Sequence, residues 1–292
     1  VALTLADLND LPAREEWTRN IDNRVDLAGY AASIENGKRF KDLAGLTGVG
    51  TSGGSLDHTG MLATQPGSLS HVVFDPPTVL GTSSLPEDLV FVIAVSGVLA
   101  EKTGAAREAY NRGPAALGAV LEAWNAQQGR DDSSLHRVVR ELAGSSDPSL
   151  PVDRSSRELA PLRRVAPEGY ASQRLEQFIE ESEVLVPEAA AALNRGDIDA
   201  FSSIVSRSQD LAERKLGNQI PETIELARSA RALGARVASA FGAGFGGSVW
   251  ALVSRADAAA FARQWKREYE ATYPQHAATT LVSEPGAPAN RL

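Results

Sequence analysis

Apolar positions along the chain change their period more than once, and the order of those changes is the first guide to architecture. Residues 1–45 read as short polar helices around Trp17 and residues 27–34. A glycine-rich run follows, Gly48-Val-Gly-Thr-Ser-Gly-Gly-Ser55, and then residues 69–74 read as a strand closed by Pro76-Pro77. A turn cluster at Gly81-Thr-Ser-Ser84 leads into residues 89–95, an unbroken apolar run of the kind expected for a strand buried on both faces. These signals place a domain boundary near 78–88, with one domain over residues 1–85 and a second over 86–292.

From there to about residue 234 the period is helical. Leu117, Val120, Leu121 and Trp124 share a face, as do Leu175, Phe178 and Ile179, and as do Ile198, Phe201, Ile204, Val205 and Leu211 behind a candidate cap at Asp197. Such stripes predict core. Pro221 suits a first helical turn and Gly234 a helix stop, while the Ser-, Asp- and Arg-rich residues 129–157 read as a partly mobile connection. Strand signals return at residues 236–240, 248–253 and 278–282, with a helix between the last two that places Ala258, Phe261, Ala262, Trp265 and Tyr269 on one face. The order β-α-β-β-α-β predicts an α+β, ferredoxin-like (split βαβ) sandwich whose first crossover carries extra helices.

Composition narrows the function. The 292 residues are 43% hydrophobic and 23% charged, an ordinary globular balance, and contain no cysteine. That excludes disulfides, thiolate metal sites and a cysteine nucleophile, and suits a reducing, cytoplasmic setting. The formal charge is −8, and no basic run is interleaved with aromatics, which argues against a nucleic-acid partner. No apolar stretch approaches the roughly 20 residues that span a bilayer, so no membrane partner is expected. The chain opens on Val1, its one methionine is Met61, and residues 1–20 lack the order of a signal peptide; residue 1 is therefore not expected to be the natural start.

Three segments carry candidate chemistry. Residues 241–253 form a tight glycine loop (Gly242, Gly244, Phe245, Gly246, Gly247) feeding a strand, where successive N–H groups can make an anion nest. A dinucleotide fingerprint would precede a helix and a Walker A loop would carry a lysine, so this loop is neither; a hairpin turn chosen for geometry alone is its plain alternative. In Gly53-Gly54-Ser-Leu-Asp57, a carboxylate just after a flexible loop makes Asp57 a general-base candidate, with helix or turn capping as the alternative. His58 beside it has no second ligand at helical spacing, so no metal site is expected. Third, Glu101-Lys-Thr-Gly-Ala-Ala-Arg107 through Tyr110 and Arg112 follows a buried strand, where Arg107 or Tyr110 can reach a polar substrate or simply face solvent.

Residues 48–59, 96–112 and 240–253, in that order, resemble the GHMP small-molecule kinases, the galactokinase branch above all. The resemblance runs over nearly the whole chain but corresponds to the later part of such a kinase. The family's first motif and its Gly-Leu-Gly-Ser-Ser phosphate loop have no counterpart here, which fits a truncated sequence with a partial N-terminal domain and an incomplete active site. The resemblance implies ATP-dependent phosphorylation of a monosaccharide at its C1 hydroxyl, with ATP and Mg²⁺ as cofactors and the Mg²⁺ ligands outside this chain. It makes Asp57 the catalytic carboxylate, Gly53, Gly54, Asp57 and Arg107 sugar-binding residues, and Gly242, Gly244, Phe245, Gly246 and Gly247 nucleotide-binding. Where many galactokinases have a sugar-contacting Tyr, this sequence reads Gly104-Ala-Ala-Arg107, so L-arabinose competes with galactose as the substrate. A non-catalytic sugar-binding relative is the alternative outside enzyme function.

Overall fold

A computed structural model describes residues 2–74, 76–100 and 107–290. The chain divides into two compact units, Val1–Ser83 with Pro285–Leu292, and Ser84–Glu284.

The first unit is a helical cluster with one hairpin. Helices α1 (Ala2–Leu8), α2 (Glu15–Asn20), α3 (Arg24–Asn36) and α4 (Leu56–Leu62) precede strands β1 (Ser68–Phe74) and β2 (Pro77–Ser84), which form a two-stranded sheet. Helix α3 starts where Asn23 accepts the N–H groups of Val25 and Asp26, and stops at Gly37 in the left-handed conformation. Ile21, Leu27, Ala28 and Leu62 make a small core, with Trp17, Tyr30 and Phe40 against it. The C-terminal residues return to this unit, where Arg24 donates to the Ala289 carbonyl at 2.6 Å and Ala289 N–H donates to Met61 O at 2.7 Å. Residues 81–84, expected as a turn, are instead the end of β2. Pairing with β1 outweighs the weak strand propensity of Gly, Thr and Ser.

The second unit is built on a four-stranded sheet of β3 (Leu89–Val95), β4 (Val237–Ala240), β5 (Ser248–Ser254) and β6 (Thr279–Ser283), in the order β4-β5-β3-β6. All three pairings are antiparallel, with Val92 opposite Ala251 on one side and Val282 on the other. This is the expected split βαβ topology. Helices α11 (Pro221–Ala232) and α12 (Ala258–Thr272) supply the core residues Leu226, Ala230, Phe261, Trp265 and Tyr269 that meet Val90, Val92, Ala94 and Ala251. Two buried polar tips are satisfied: Trp265 Nε1 donates to Leu226 O at 3.1 Å and Tyr269 OH to Ser96 O at 2.7 Å. Burial pushes the Tyr269 phenol up to about 12.

Strand β3 was expected to be buried on both faces, and it is fully buried on one. Val90, Val92 and Ala94 are inside, whereas Phe91, Ile93 and Val95 are half-buried, with Phe91 meeting Trp250 edge-on. An antiparallel sheet needs helices on only one side, so an apolar run does not prove double burial.

Between β3 and β4 lie α5 (Arg107–Gln128), α6 (Leu135–Leu142), α7 (Ala160–Val165), α8 (Tyr170–Glu180), α9 (Val186–Asn194) and α10 (Ile198–Leu211). The predicted stripes form a second core that includes Val120, Trp124, Leu175 and Ile179. Asp197 caps α10 by accepting Ala200 N–H at 3.0 Å. Residues 129–157 contain the ordered helix α6, a correction to the expected loose connection. Leu135, Val138 and Val139 bury its apolar side, and buried Arg140 donates to Ser145 Oγ and to the carbonyls of Asp147 and Leu150. Arg140 Nε also lies 3.0 Å from Glu183 Oε2, a carboxylate whose other oxygen meets His136 Nδ1 at 2.6 Å. Eight residues rich in Arg and Glu give too short a stripe to betray a buried helix.

Candidate functional site

In the first unit the end of α3 fixes the glycine run that precedes Asp57. Asn36 holds the Gly53 peptide through both of its amide atoms, at 2.7 and 2.8 Å. Glu35 works beside it: its carbonyl accepts Val49 N–H at 2.9 Å, its Oε2 lies 3.0 Å from His58 Nε2, and its Oε1 accepts Thr51 Oγ1 at 3.4 Å. Gly48 is required by close approach, since a Cβ there would stand 2.4 Å from Gly37 N and 2.5 Å from Glu35 O. The loop expected to be flexible is thus pinned at residues 48, 49, 51 and 53.

Asp57 then falls in the first turn of α4, exposed, while Ser55, Thr59 and Leu62 turn inward. Ser55, which makes no side-chain capping bond, holds the N-cap position, and Asp57 is the acidic residue of the first turn. Asp57 therefore presents its carboxylate from a short helix whose entry is clamped on the side of Glu35 and Asn36. Neither of those residues stood out in the sequence; the signal that could have marked them is the Asn-Gly pair ending a predicted helix.

Gly53, Gly54 and Ser55 line a cleft of about 460 Å³ whose other walls include Asn36, Phe40 and Phe74. Gly54 is exposed, and a Cβ added there would meet no atom within 4 Å. Neither packing nor backbone strain demands glycine at this position, and its absence of side chain leaves the cleft open.

The second unit holds the other glycine loop. Phe245 N–H donates to Asn218 O at 2.6 Å, Asn218 Nδ2 donates to Gly242 O at 2.9 Å, and Gly247 N–H donates to Val98 O at 2.9 Å. A Cβ on Gly244 would lie 2.1 Å from Asn218 O, and one on Gly246 would lie 2.8 Å from Val98 O. The glycines are therefore needed for close approach to the unit's own backbone. With the Phe245 and Gly247 amides already donated, the loop has fewer N–H groups for an anion than its sequence suggests. Buried Asn218, which the sequence reading missed, is the residue that organises it.

Arg107 is exposed at the first residue of α5, and residues 101–106 of that motif lie outside the described residues. The predicted site residues thus fall in two groups: Gly53, Gly54 and Asp57 in the first unit, Arg107 and residues 242–247 in the second. Among the described residues no three His, Asp or Glu side chains gather where a metal ion could be held. Nor, among them, is any helix long and apolar enough to cross a membrane.

Residues 189–271, which include α10, α11, β4, the glycine loop, β5 and most of α12, match the family model "GHMP kinases C terminal". Over those residues the chain is similar to the GHMP kinases. Its whole length superposes on the crystal structure of Lactococcus lactis galactokinase complexed with galactose, with a TM-score of 0.70 at 19% identity. The match covers 100% of this chain and 64% of the galactokinase. Homoserine kinase from Cytophaga hutchinsonii (15% identity, 72% of this chain, 45% of that one, TM-score 0.35) and L. major mevalonate kinase in complex with R-mevalonate (15%, 70%, 47%, TM-score 0.36) match less of the chain and carry no argument. No curated protein sequence matches it.

Proposed function

We propose that the chain is part of an ATP-dependent kinase that phosphorylates a monosaccharide at its C1 hydroxyl. The observation that carries this reading is the agreement of the whole fold with galactokinase, TM-score 0.70, joined to an exposed Asp57 on a clamped helix entry. Phosphoryl transfer rests on positioning and charge stabilisation rather than on covalent chemistry by the protein. Asp57 accepts the hydrogen bond of the C1 hydroxyl and turns its oxygen toward the γ-phosphorus. The new P–O bond forms as the bond to the β-phosphate oxygen breaks, ADP leaves, and the hydroxyl proton passes to Asp57.

Gly53 and Gly54 let the sugar approach backbone, and Arg107 supplies a cation for a polar substrate. Gly242, Gly244, Phe245, Gly246 and Gly247 contribute shape beside the nucleotide, since two of their amides are spent on Asn218 and Val98. The described residues offer no cluster fitted to Mg²⁺, so no step here runs through a metal held by this chain.

The test is ADP release from ATP with a panel that includes galactose and L-arabinose, measured on this chain and on the full gene product. Turnover with one preferred sugar supports the reading and names the substrate. Sugar binding without turnover in either form replaces it with a non-catalytic sugar-binding relative.

A further inference from the structure

Phe245 stands in a conformation that its residue type avoids. Its φ is 58°, in the left-handed region that glycine and asparagine visit but a bulky aromatic rarely does. Such a backbone persists only where its surroundings hold it, and strain of this kind gathers at functional sites. Asn218 does the holding: its carbonyl accepts Phe245 N–H at 2.6 Å, while its Nδ2 donates to the Gly242 carbonyl at 2.9 Å. The position of Asn218 therefore decides the shape of the loop.

Asn218 in turn hangs from the end of α10. That helix runs on into a π-helical turn, Ala212–Leu216, which Gly217 closes with φ of 69° by donating its N–H to Ala212 O at 2.9 Å. Single π turns are rare and are frequent at functional sites. The last carbonyls of a helix have no partner within it. Here side chains of α8 take them: Gln173 Nε2 donates to Arg214 O at 3.1 Å and to Lys215 O at 2.8 Å, and Tyr170 OH donates to Leu216 O at 2.9 Å. The Tyr170 ring is itself fixed from α5, where the Arg112 guanidinium lies over it, 3.8 Å from the centroid. Buried Gly113 leaves room for this approach, since a Cβ there would come within 3.7 Å of the Tyr170 hydroxyl and 3.4 Å of Leu216 Cδ1.

We infer that Tyr170 is a positioning residue for the 242–247 loop: its hydroxyl fixes the Leu216 carbonyl, that end of the π turn fixes Asn218, and Asn218 holds Phe245 in its strained conformation. Gln173 acts in the same way on the two preceding carbonyls, and Arg112 keeps the tyrosine ring in place. The step from α8 to the loop stands on hydrogen bonds within the second unit. The further step, that the loop so shaped sets the affinity for ATP, rests on the kinase reading. Gly247 supplies a control inside the same loop, because its N–H is anchored on Val98 and not on Asn218.

The experiment is amide hydrogen exchange on the whole chain, parent against Tyr170→Phe and Gln173→Ala, with steady-state kinetics on the full gene product. Tyr170→Phe keeps the ring on Arg112 and removes only the hydroxyl. The expected result is exchange at least about tenfold faster at the Phe245 amide, with the Gly247 amide within about twofold of the parent. Gln173→Ala shifts the Phe245 amide in the same direction and, at an exposed position, keeps the question answerable where Tyr170→Phe does not fold. In turnover, Tyr170→Phe raises KM for ATP about three- to tenfold while kcat and the sugar KM stay within about twofold, a split that general loosening of the fold does not produce. Unchanged exchange at Phe245 in both variants overturns the inference, and so does equal acceleration at Phe245 and Gly247, which marks loosening of the whole unit. Faster exchange at Phe245 with an unmoved KM for ATP overturns the link to the nucleotide. The kinase reading fails separately, by absence of ADP release in the parent with every sugar, and the exchange pattern decides the role of Tyr170 in that case as well.

Discussion

Asn36 grips the peptide of Gly53 from both sides. Its Nδ2 donates to the Gly53 carbonyl at 2.7 Å, and its Oδ1 accepts the Gly53 N–H at 2.8 Å. Two hydrogen bonds from one planar amide fix the position and the orientation of a backbone that has no side chain of its own to anchor it. Four residues on, that backbone delivers Asp57.

Replacing Asn36 with Ala removes both bonds and loosens the chain at Gly53. We expect a stability loss of about 1–3 kcal/mol and faster hydrogen exchange at the Gly53 amide, with little change in exchange across the sheet of the second unit. Unchanged protection at Gly53 would show that the clamp is not what holds the loop.

The glycine loop of the second unit gives a sharper contrast. Gly244 has φ of 73°, and any Cβ there would stand 2.1 Å from the carbonyl oxygen of Asn218, so Gly244→Ala should cost more than about 2 kcal/mol or prevent folding. Gly118, inside α5 with nothing within 4 Å of its Cβ position, should behave oppositely, Gly118→Ala gaining up to about 1 kcal/mol. Denaturant melts of the two variants decide the matter, and a silent Gly244→Ala would reopen a purely ligand-directed role for the loop.

Glu181 sets a pH dependence. Burial holds its carboxyl above the usual glutamate range, although Ser208 donates to it at 2.7 Å and Arg174 is near enough to pull it down. Between the ordinary value of 4.5 and the raised one, the folded chain binds more protons than the unfolded chain. Stability contributed by this group is therefore present at low pH and declines as pH rises through that window. Glu181→Gln lacks the slope. Its stability relative to the parent should increase from pH 4.5 toward neutrality, and parallel pH profiles for the two would contradict the assignment.

What the sequence revealed and what it hid divide along physical lines. The β-α-β-β-α-β order was readable because β3, β5 and α12 have long apolar runs or stripes, and the caps at Asp197 and Gly234 are local chemistry. The strand ending β2 was hidden, because residues 81–84 are strand only through their partner. Helix α6 was hidden for a related reason: the cation Arg140 is buried by Glu183, 43 positions away, and nothing local announces such a pair. At the candidate site, the glycines and Asp57 were visible as residue types. The residues that arrange them, Glu35, Asn36 and Asn218, were not, since each acts through backbone atoms of a distant segment. The glycine loop at 242–247 shows the converse hazard, in that a pattern suited to anions is used here for close packing on Asn218 and Val98.

The account stands on Asp57 as the group that acts on the sugar hydroxyl. Its most direct test is to compare sugar binding and ADP release for the full gene product and its Asp57→Asn variant, which keeps the size of the side chain and removes its charge. The account predicts that sugar affinity stays within a few-fold of the parent while kcat falls by about 10²–10⁴, the usual contribution of a positioned general base. Turnover equal to the parent would contradict it and leave Asp57 as an exposed residue of the first turn of α4 with no part in the chemistry.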